Sequence, residues 1–240
     1  MENKIKLNNI LFLDIETVPE LPIFKELNTV KQELFAQKTQ YQRKEEYSPE
    51  EFYDHAGIWA EFGKIVCISV GFFDEHLESL SYRLKSFYGE NEVKILADFK
   101  NLLERFYNKK QHVLCAHNGK EFDFPYIARR MIINNIELPE KLNLFGKKPW
   151  EVAHLDTLEM WKFGDYKHYT SLNLLTNILG IASPKEDIDG SQVAQVYYEE
   201  KDLNRIARYC ENDTLAVAQV YLRLMHLKIL KEEQIIRVEV

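Results

Sequence analysis

The sequence predicts an α/β domain organised around a mixed sheet. Three observations lead there: an apolar strand near the start, a pair of strands joined by a short polar turn, and later segments with apolar residues at helical spacing. Residues 10–16 read as the first strand, and the unbroken apolar run Ile10 to Leu13 is what a strand buried on both faces requires. Residues 24–56 are polar and charged. Phe24, Leu27, Leu34 and Phe35 are spaced for a helical insertion, which Ser48-Pro49 interrupts. Residues 64–73 read as a strand and 77–87 as its antiparallel neighbour, with Asp74-Glu75-His76 as the turn. A helix over 91–107 carries Val93, Leu96, Phe99, Leu102, Leu103 and Phe106 on one stripe.

A short strand follows at His112 to His117 and ends at Asn118-Gly119. Residues 124–135 read as a helix with Pro125 in its first turn, where proline is tolerated. Residues 152–158 read as another short strand, Leu172 to Leu179 as a helix stopped by Gly180, and 191–198 and 202–228 as the last helices. No internal repeat, low-complexity tract or linker divides the chain, so residues 1–240 read as one domain.

An apolar fraction of 45% with 12% aromatics fits a folded chain with a substantial core. No apolar run reaches the length of a membrane span, and Met1 to Lys6 lack the apolar stretch of a signal peptide. Cys67, Cys115 and Cys210 are far apart with no C-x-x-C pair, which fits buried free thiols in a reducing cytoplasm. A net charge of −7 disfavours a basic nucleic-acid footprint, but four of the acids are candidate ligands for cations that would cancel them. Arg129-Arg130 and Lys147-Lys148 remain as local basic clusters, which are also ordinary solvated surface.

The candidate chemistry lies in carboxylates. Side chains alternate along a strand, so Asp14 and Glu16 project together while Leu11, Leu13 and Ile15 project to the other side. Two acids at the end of an apolar strand repel each other and cost desolvation, which a divalent cation would offset. Asp123 sits in Asn118-Gly119-Lys120-Glu121-Phe122-Asp123, just before a helix, where it reads equally well as an N-cap. Asp213 lies four residues after Tyr209, on a stripe with Ile206, Ala216 and Val220 that should face the core. An inward carboxylate of this kind needs a partner or a proton. No G-x-S-x-G or activated cysteine supports nucleophile chemistry, and His117 and His154 read as structural.

Together these segments resemble the three motifs of the DEDD superfamily of 3′–5′ exonucleases. They are Asp-x-Glu at Asp14 and Glu16, followed by Thr17; Asn-x-x-x-Phe-Asp from Asn118 to Phe122 and Asp123; and Tyr-x-x-x-Asp at Tyr209 and Asp213. The tyrosine, with Arg208 where another branch has histidine five residues before the last Asp, is similar to the tyrosine subtype. Asp156-Thr157, Ser171 to Leu175, Asp189-Gly190 and Arg208-Tyr209-Cys210 resemble bacterial stand-alone exonucleases similar to the proofreading domain of family-B DNA polymerases.

The resemblance implies a ribonuclease-H-like fold, a mixed sheet flanked by helices, and hydrolysis of the 3′-terminal phosphodiester with two Mg²⁺ or Mn²⁺ ions. It implies Asp14, Glu16, Asp123 and Asp213 as metal ligands and Tyr209 as the group that orients water. Thr17, Asn118 and Phe122 would contact the last nucleotides of a single-stranded 3′ end. DNA is favoured over RNA by similarity alone, and the sequence names no polymerase or repair partner. Two other readings are an inactive nucleic-acid-binding or docking module of the same fold and a haloacid-dehalogenase-like phosphatase. The second wants Asp in place of Glu16 and a later Gly-Asp-x-x-x-Asp, whereas Gly164-Asp165 is followed by Tyr166-Lys167-His168-Tyr169.

Overall fold

The computed structural model describes residues 5–43, 46–74, 80–165, 167–181 and 188–238, the side chain at 149 excepted. Its six strands are β1 (Ile10–Pro19), β2 (Gly63–Asp74), β3 (Ser81–Tyr88), β4 (Val113–Ala116), β5 (Leu155–Asp156) and β6 (Ile235–Arg237). They form one sheet in the order β5-β4-β1-β2-β3-β6. The β1–β2 and β2–β3 pairs are antiparallel; β1–β4, β4–β5 and β3–β6 are parallel. The helices are α1 (Thr29–Arg43), α2 (Glu92–Phe106), α3 (Asp123–Ile133), α4 (Thr157–Lys162), α5 (Leu172–Ile178), α6 (Val193–Gln195) and α7 (Leu203–Leu224).

Alternation along β1 sorts the core into two layers. Leu11, Leu13 and Ile15 face Leu96 and Phe99 of α2 and Phe124, Ile127 and Met131 of α3. Ile10 and Phe12 face Val217, Ala218, Tyr221 and Leu222 of α7. The pairing register slips between Glu16 and Thr17: Glu16 pairs with Cys67 and Thr17 with Ile65, which leaves Val66 as the extra residue of a bulge. A bulge bends and twists the ladder, here at the point where the β1 carboxylates emerge.

Several elements differ from the sequence reading. The strand expected over 152–158 is only Leu155–Asp156, because Asp156 caps α4 by accepting the Leu158 and Glu159 N–H groups at 2.9 and 3.3 Å. The last helix ends at Leu224 rather than 228, and His226 reverses the chain with φ 56°. The chain then adds β6, a strand the sequence reading did not contain. In place of one helix over 191–198 the chain forms the short α6 followed by a π-helical turn, Val196–Glu200. On α2, Val93 and Phe106 face solvent while Ile95, Leu96, Phe99 and Leu103 are buried. Glu75 and His76 of the expected turn lie outside the described residues.

In the segment 24–56, α1 buries Phe35 in a cluster with Leu27, Tyr53, Ala56 and Phe62, while Leu34 is exposed. Arg129 is exposed, but Arg130 is not part of a basic surface. Its guanidinium donates to Glu92 Oε1 from Nε at 2.8 Å and to Oε2 from Nη2 at 2.5 Å, and Nη1 donates to the Ala60 carbonyl at 2.8 Å. Arg130 lies on the inward stripe of α3 with Phe124, Ile127 and Met131, so its charge needs a buried partner.

His154 shows how a short edge strand is completed. The Leu114 N–H of β4 donates to its Nδ1 at 3.2 Å, so Nε2 carries the proton and donates to the Lys141 carbonyl at 2.7 Å. Burial, the largest cause, pushes the imidazole pKa down to about 4. The unfolded chain takes up this proton below about pH 6.5 and the folded one resists until about 4, so stability falls as pH drops through that window. Urea unfolding of wild type and His154→Phe at pH 7.0, 5.5 and 4.5 checks this. The wild type should lose about 2.5 kcal/mol more than the variant between pH 7.0 and 4.5.

Candidate active site

The candidate site forms where β1 and β4 part. Their pairing covers only Ile10 to Phe12 against Val113 to Cys115. Past Ala116 the chain turns away at Asn118, whose φ is 62°, and Gly119, where a Cβ would meet the Ala116 Cβ at 2.4 Å. A left-handed asparagine followed by a glycine that no larger residue could replace makes this turn tight enough to start α3 inside the gap. The helix N-cap is Phe122, so Asp123 is the first helical residue and not the cap. Its buried carboxylate takes the backbone N–H of Ile15, a β1 group beyond the last β4 pair, as well as its own. Burial, the largest cause, raises the Asp123 pKa to about 7, and the Asp156 and Asp213 charges push it the same way.

Asp14 stands on the β1 face toward α7. The Cys210 thiol of α7 donates to the Asp14 carbonyl at 3.3 Å and to its Oδ2 at 3.4 Å. The ligand atoms of Asp14, Glu16 and Cys210 all lie within 4.8 Å of one another. Burial holds the Asp14 carboxyl well above the usual carboxylate range, and the charges of Asp213, Glu16 and Asp123 add to that in decreasing order. The charges of the other three acids singled out in the sequence all reach Asp14, but among the described residues only Glu16 joins it in the 4.8 Å group, with the Cys210 thiol. Asp213 is half-buried rather than buried, as is Tyr209 one turn before it, which packs against the cluster of Val18, Val66 and Cys67. A set of hard oxygen donors whose charges repel one another fits a divalent cation.

Thr17 and Phe122 line a groove of about 570 Å³ together with Glu16. Thr17 is hydrogen-bonded to Tyr126, whose ring is 5.3 Å from that of Phe122. Asn118 does not line the groove; its N–H donates to Asp156 Oδ1 at 3.0 Å.

Asp156 and Tyr126 are the residues that sequence reasoning missed as parts of this site. Asp156 Oδ2 also accepts the Lys120 N–H at 3.1 Å, so one carboxylate fixes both the 118–120 turn and the start of α4. The signal available was an Asp directly before a Thr-Leu-Glu helix start, an N-cap pattern. Tyr126 left no comparable signal.

Helix α7 is itself fixed from the far edge of the sheet. Arg237 of β6 donates to Glu211 Oε2 at 2.5 Å and to Asn212 Oδ1 at 2.9 Å, and Ser86 of β3 donates to Glu211 Oε1 at 3.1 Å. These two α7 residues directly precede Asp213.

A mixed six-stranded sheet flanked by helices, with acids at the exit of its central strand, defines the ribonuclease-H-like fold of polymerase exonuclease domains. The structure is similar to that of the family B DNA polymerase from the archaeon Pyrobaculum calidifontis, with a TM-score of 0.54 at 16% identity. That likeness covers 89% of this chain and 24% of the polymerase, so the chain spans about a quarter of the polymerase's length. The family model described as "Predicted 3'-5' exonuclease related to the exonuclease domain of PolB" matches residues 58–237, and the chain belongs to that family. The match begins after β1, so Asp14 and Glu16 lie upstream of it. Among the described residues, no helix is long and apolar enough to cross a membrane.

Proposed function

We propose that the protein is a 3′–5′ exonuclease of the tyrosine subtype, releasing nucleoside 5′-monophosphates from single-stranded 3′ ends, with DNA the favoured substrate. The observation that supports this most is that Asp213, Glu16 and Asp123 all lie within electrostatic reach of Asp14, with Asp14 and Asp123 disfavoured as bare anions. These four carboxylates would hold two Mg²⁺ or Mn²⁺ ions. When bound, such ions supply positive charge to the entering and leaving oxygens of an in-line displacement and ease ionisation of the attacking water.

The chain's own groups do the rest. Tyr209, one turn before Asp213, orients the attacking water by hydrogen bonding. Its phenol acts here as a positioning group and not as the base. The Cys210 S–H holds the Asp14 carboxylate in its rotamer. Thr17 and Phe122 contact the terminal nucleotide, Phe122 by stacking, and Asn118 contacts the chain nearby. Asp156 acts on the site indirectly, by fixing the turn that carries Asn118 and leads to Asp123.

Digestion of oligonucleotides labelled at either end tests the proposal. With Mg²⁺ or Mn²⁺, a 5′-labelled strand should shorten one nucleotide at a time, and a 3′-labelled strand should release labelled monophosphate first. Chelator should stop both. Products that keep the 3′ label, or cleavage unchanged by chelator, would refute it.

A further inference from the structure

The segment 24–56, read from its sequence as a helical insertion and assigned no role, precedes the family match. In the structure it is a small aromatic core packed against the end of β1. Phe35 lies 5.4 Å from the Tyr53 ring, 5.2 Å from Phe62 and 6.0 Å from Trp59. The 3-10 turn Tyr53–Ile58 rides on that core and is tied to the candidate site. Tyr126, the residue bonded to Thr17, donates to the Gly57 carbonyl at 2.7 Å. A Cβ at Gly57 would meet the Val18 backbone at 3.1 Å, tighter than an ordinary contact, so glycine favours this close approach of the turn to β1. The result is that Asp54 and His55 line the same groove as Glu16, Thr17, Phe122 and Ser191. His55 is exposed, and its ring stacks on Phe52 at 4.7 Å with only 13° between the planes. Phe52 itself does not line the groove; its stacking against the imidazole restricts that ring.

We propose that the turn Tyr53–Ile58 completes the pocket for the 3′-terminal nucleoside, with His55 as the platform on which its base stacks. This rests on the exonuclease reading and adds to it a contact supplied by the segment that precedes the family match. The groove's volume of about 570 Å³ lies within the range of small-ligand sites. A flat ring fixed by a second ring loses little freedom when a base arrives, and stacking of this kind tolerates any base.

The test uses the whole protein in chelator, so that substrate binds without being cut. Binding of 5′-fluorescein oligothymidylate is read by anisotropy, with either a normal or an abasic 3′-terminal residue. His55→Ala should weaken binding of the normal end by about tenfold, the scale of one lost stacking contact. His55→Phe should restore it, and wild type and His55→Ala should bind the abasic end alike. With Mg²⁺ added, His55→Ala should raise KM more than it lowers kcat, because a platform that touches the base and not the scissile phosphate contributes binding rather than chemistry. Wild-type affinity in His55→Ala, a loss that persists with the abasic end, or failure of His55→Phe to restore binding would each overturn the proposal. If the wild type digests oligonucleotides and His55 is indifferent, only this inference fails. If it digests none and binds none, the exonuclease reading fails with it.

Discussion

Asn in place of Asp14 is expected to abolish nucleotide release and, in chelator, to make the protein more stable than the wild type. The two effects share one cause. Asp14 is buried against Asp213, Glu16 and Asp123, and its carboxyl is held well above the usual range. A raised folded-state pKa means that folding penalises the anion at neutral pH, and the penalty disappears as pH falls far enough to protonate the group in both states. An amide of the same shape carries no charge to desolvate. Each kcal/mol recovered raises Tm by about 2–4 °C in a chain of this size. The lost cation binding, in turn, removes several kcal/mol of transition-state stabilisation, a rate loss of about 10³-fold or more. Thermal melts in chelator and in Mn²⁺, alongside oligonucleotide digestion, measure both. Mn²⁺ should stabilise the wild type by binding the folded state and have little effect on Asp14→Asn. Undiminished digestion, or a lower Tm in chelator, would count against a cation site at Asp14.

The second large effect lies outside the site. Arg130→Ala should cost about 3–5 kcal/mol, because it leaves the Glu92 carboxylate buried without its counter-charge. Glu92 also accepts the Ile65 N–H at 2.7 Å and the Asn134 amide at 3.0 Å, so this carboxylate links α2 and α3 to the start of β2. Both side chains of the pair are under one-tenth exposed, which removes the solvent screening that makes surface pairs weak. Urea denaturation measures the cost, and Arg130→Met combined with Glu92→Gln should recover much of it. A loss below about 1 kcal/mol in Arg130→Ala would mean that water reaches the pair. Because α3 also begins with Asp123, the single variant should lose activity in proportion to its fraction unfolded at assay temperature.

Long elements with a clear period were legible in the sequence. The Ile10–Leu13 run marks β1 because a central strand excludes polar groups from both faces, and α2, α3 and α7 announce themselves through apolar spacing. Short elements were not legible. β6 is three residues long, held by its place beside β3 and by the contacts of Arg237, and no period can be read from so few positions. The stretch before Asp156 reads as a longer strand until the capping of α4 cuts it short. Arg130 looked like surface because it follows Arg129; its place on the α3 stripe was the better signal. For the candidate site, the residue types and their order along the chain were readable. Their spatial relations depend on features with no sequence period: the parting of β1 from β4, the left-handed Asn118 and the bulge at Val66. Asp156 was visible as a cap, but that it also grips a turn 36 residues earlier in the chain is a tertiary fact.

The grip of Arg237 on Glu211 and Asn212 has a consequence for anyone handling this protein. A three-residue strand at the sheet's edge steadies the helix that presents Tyr209 and Asp213. A substitution that unpairs β6 from β3 would therefore reach the candidate site from a distance, loosening α7 while every candidate ligand stayed intact.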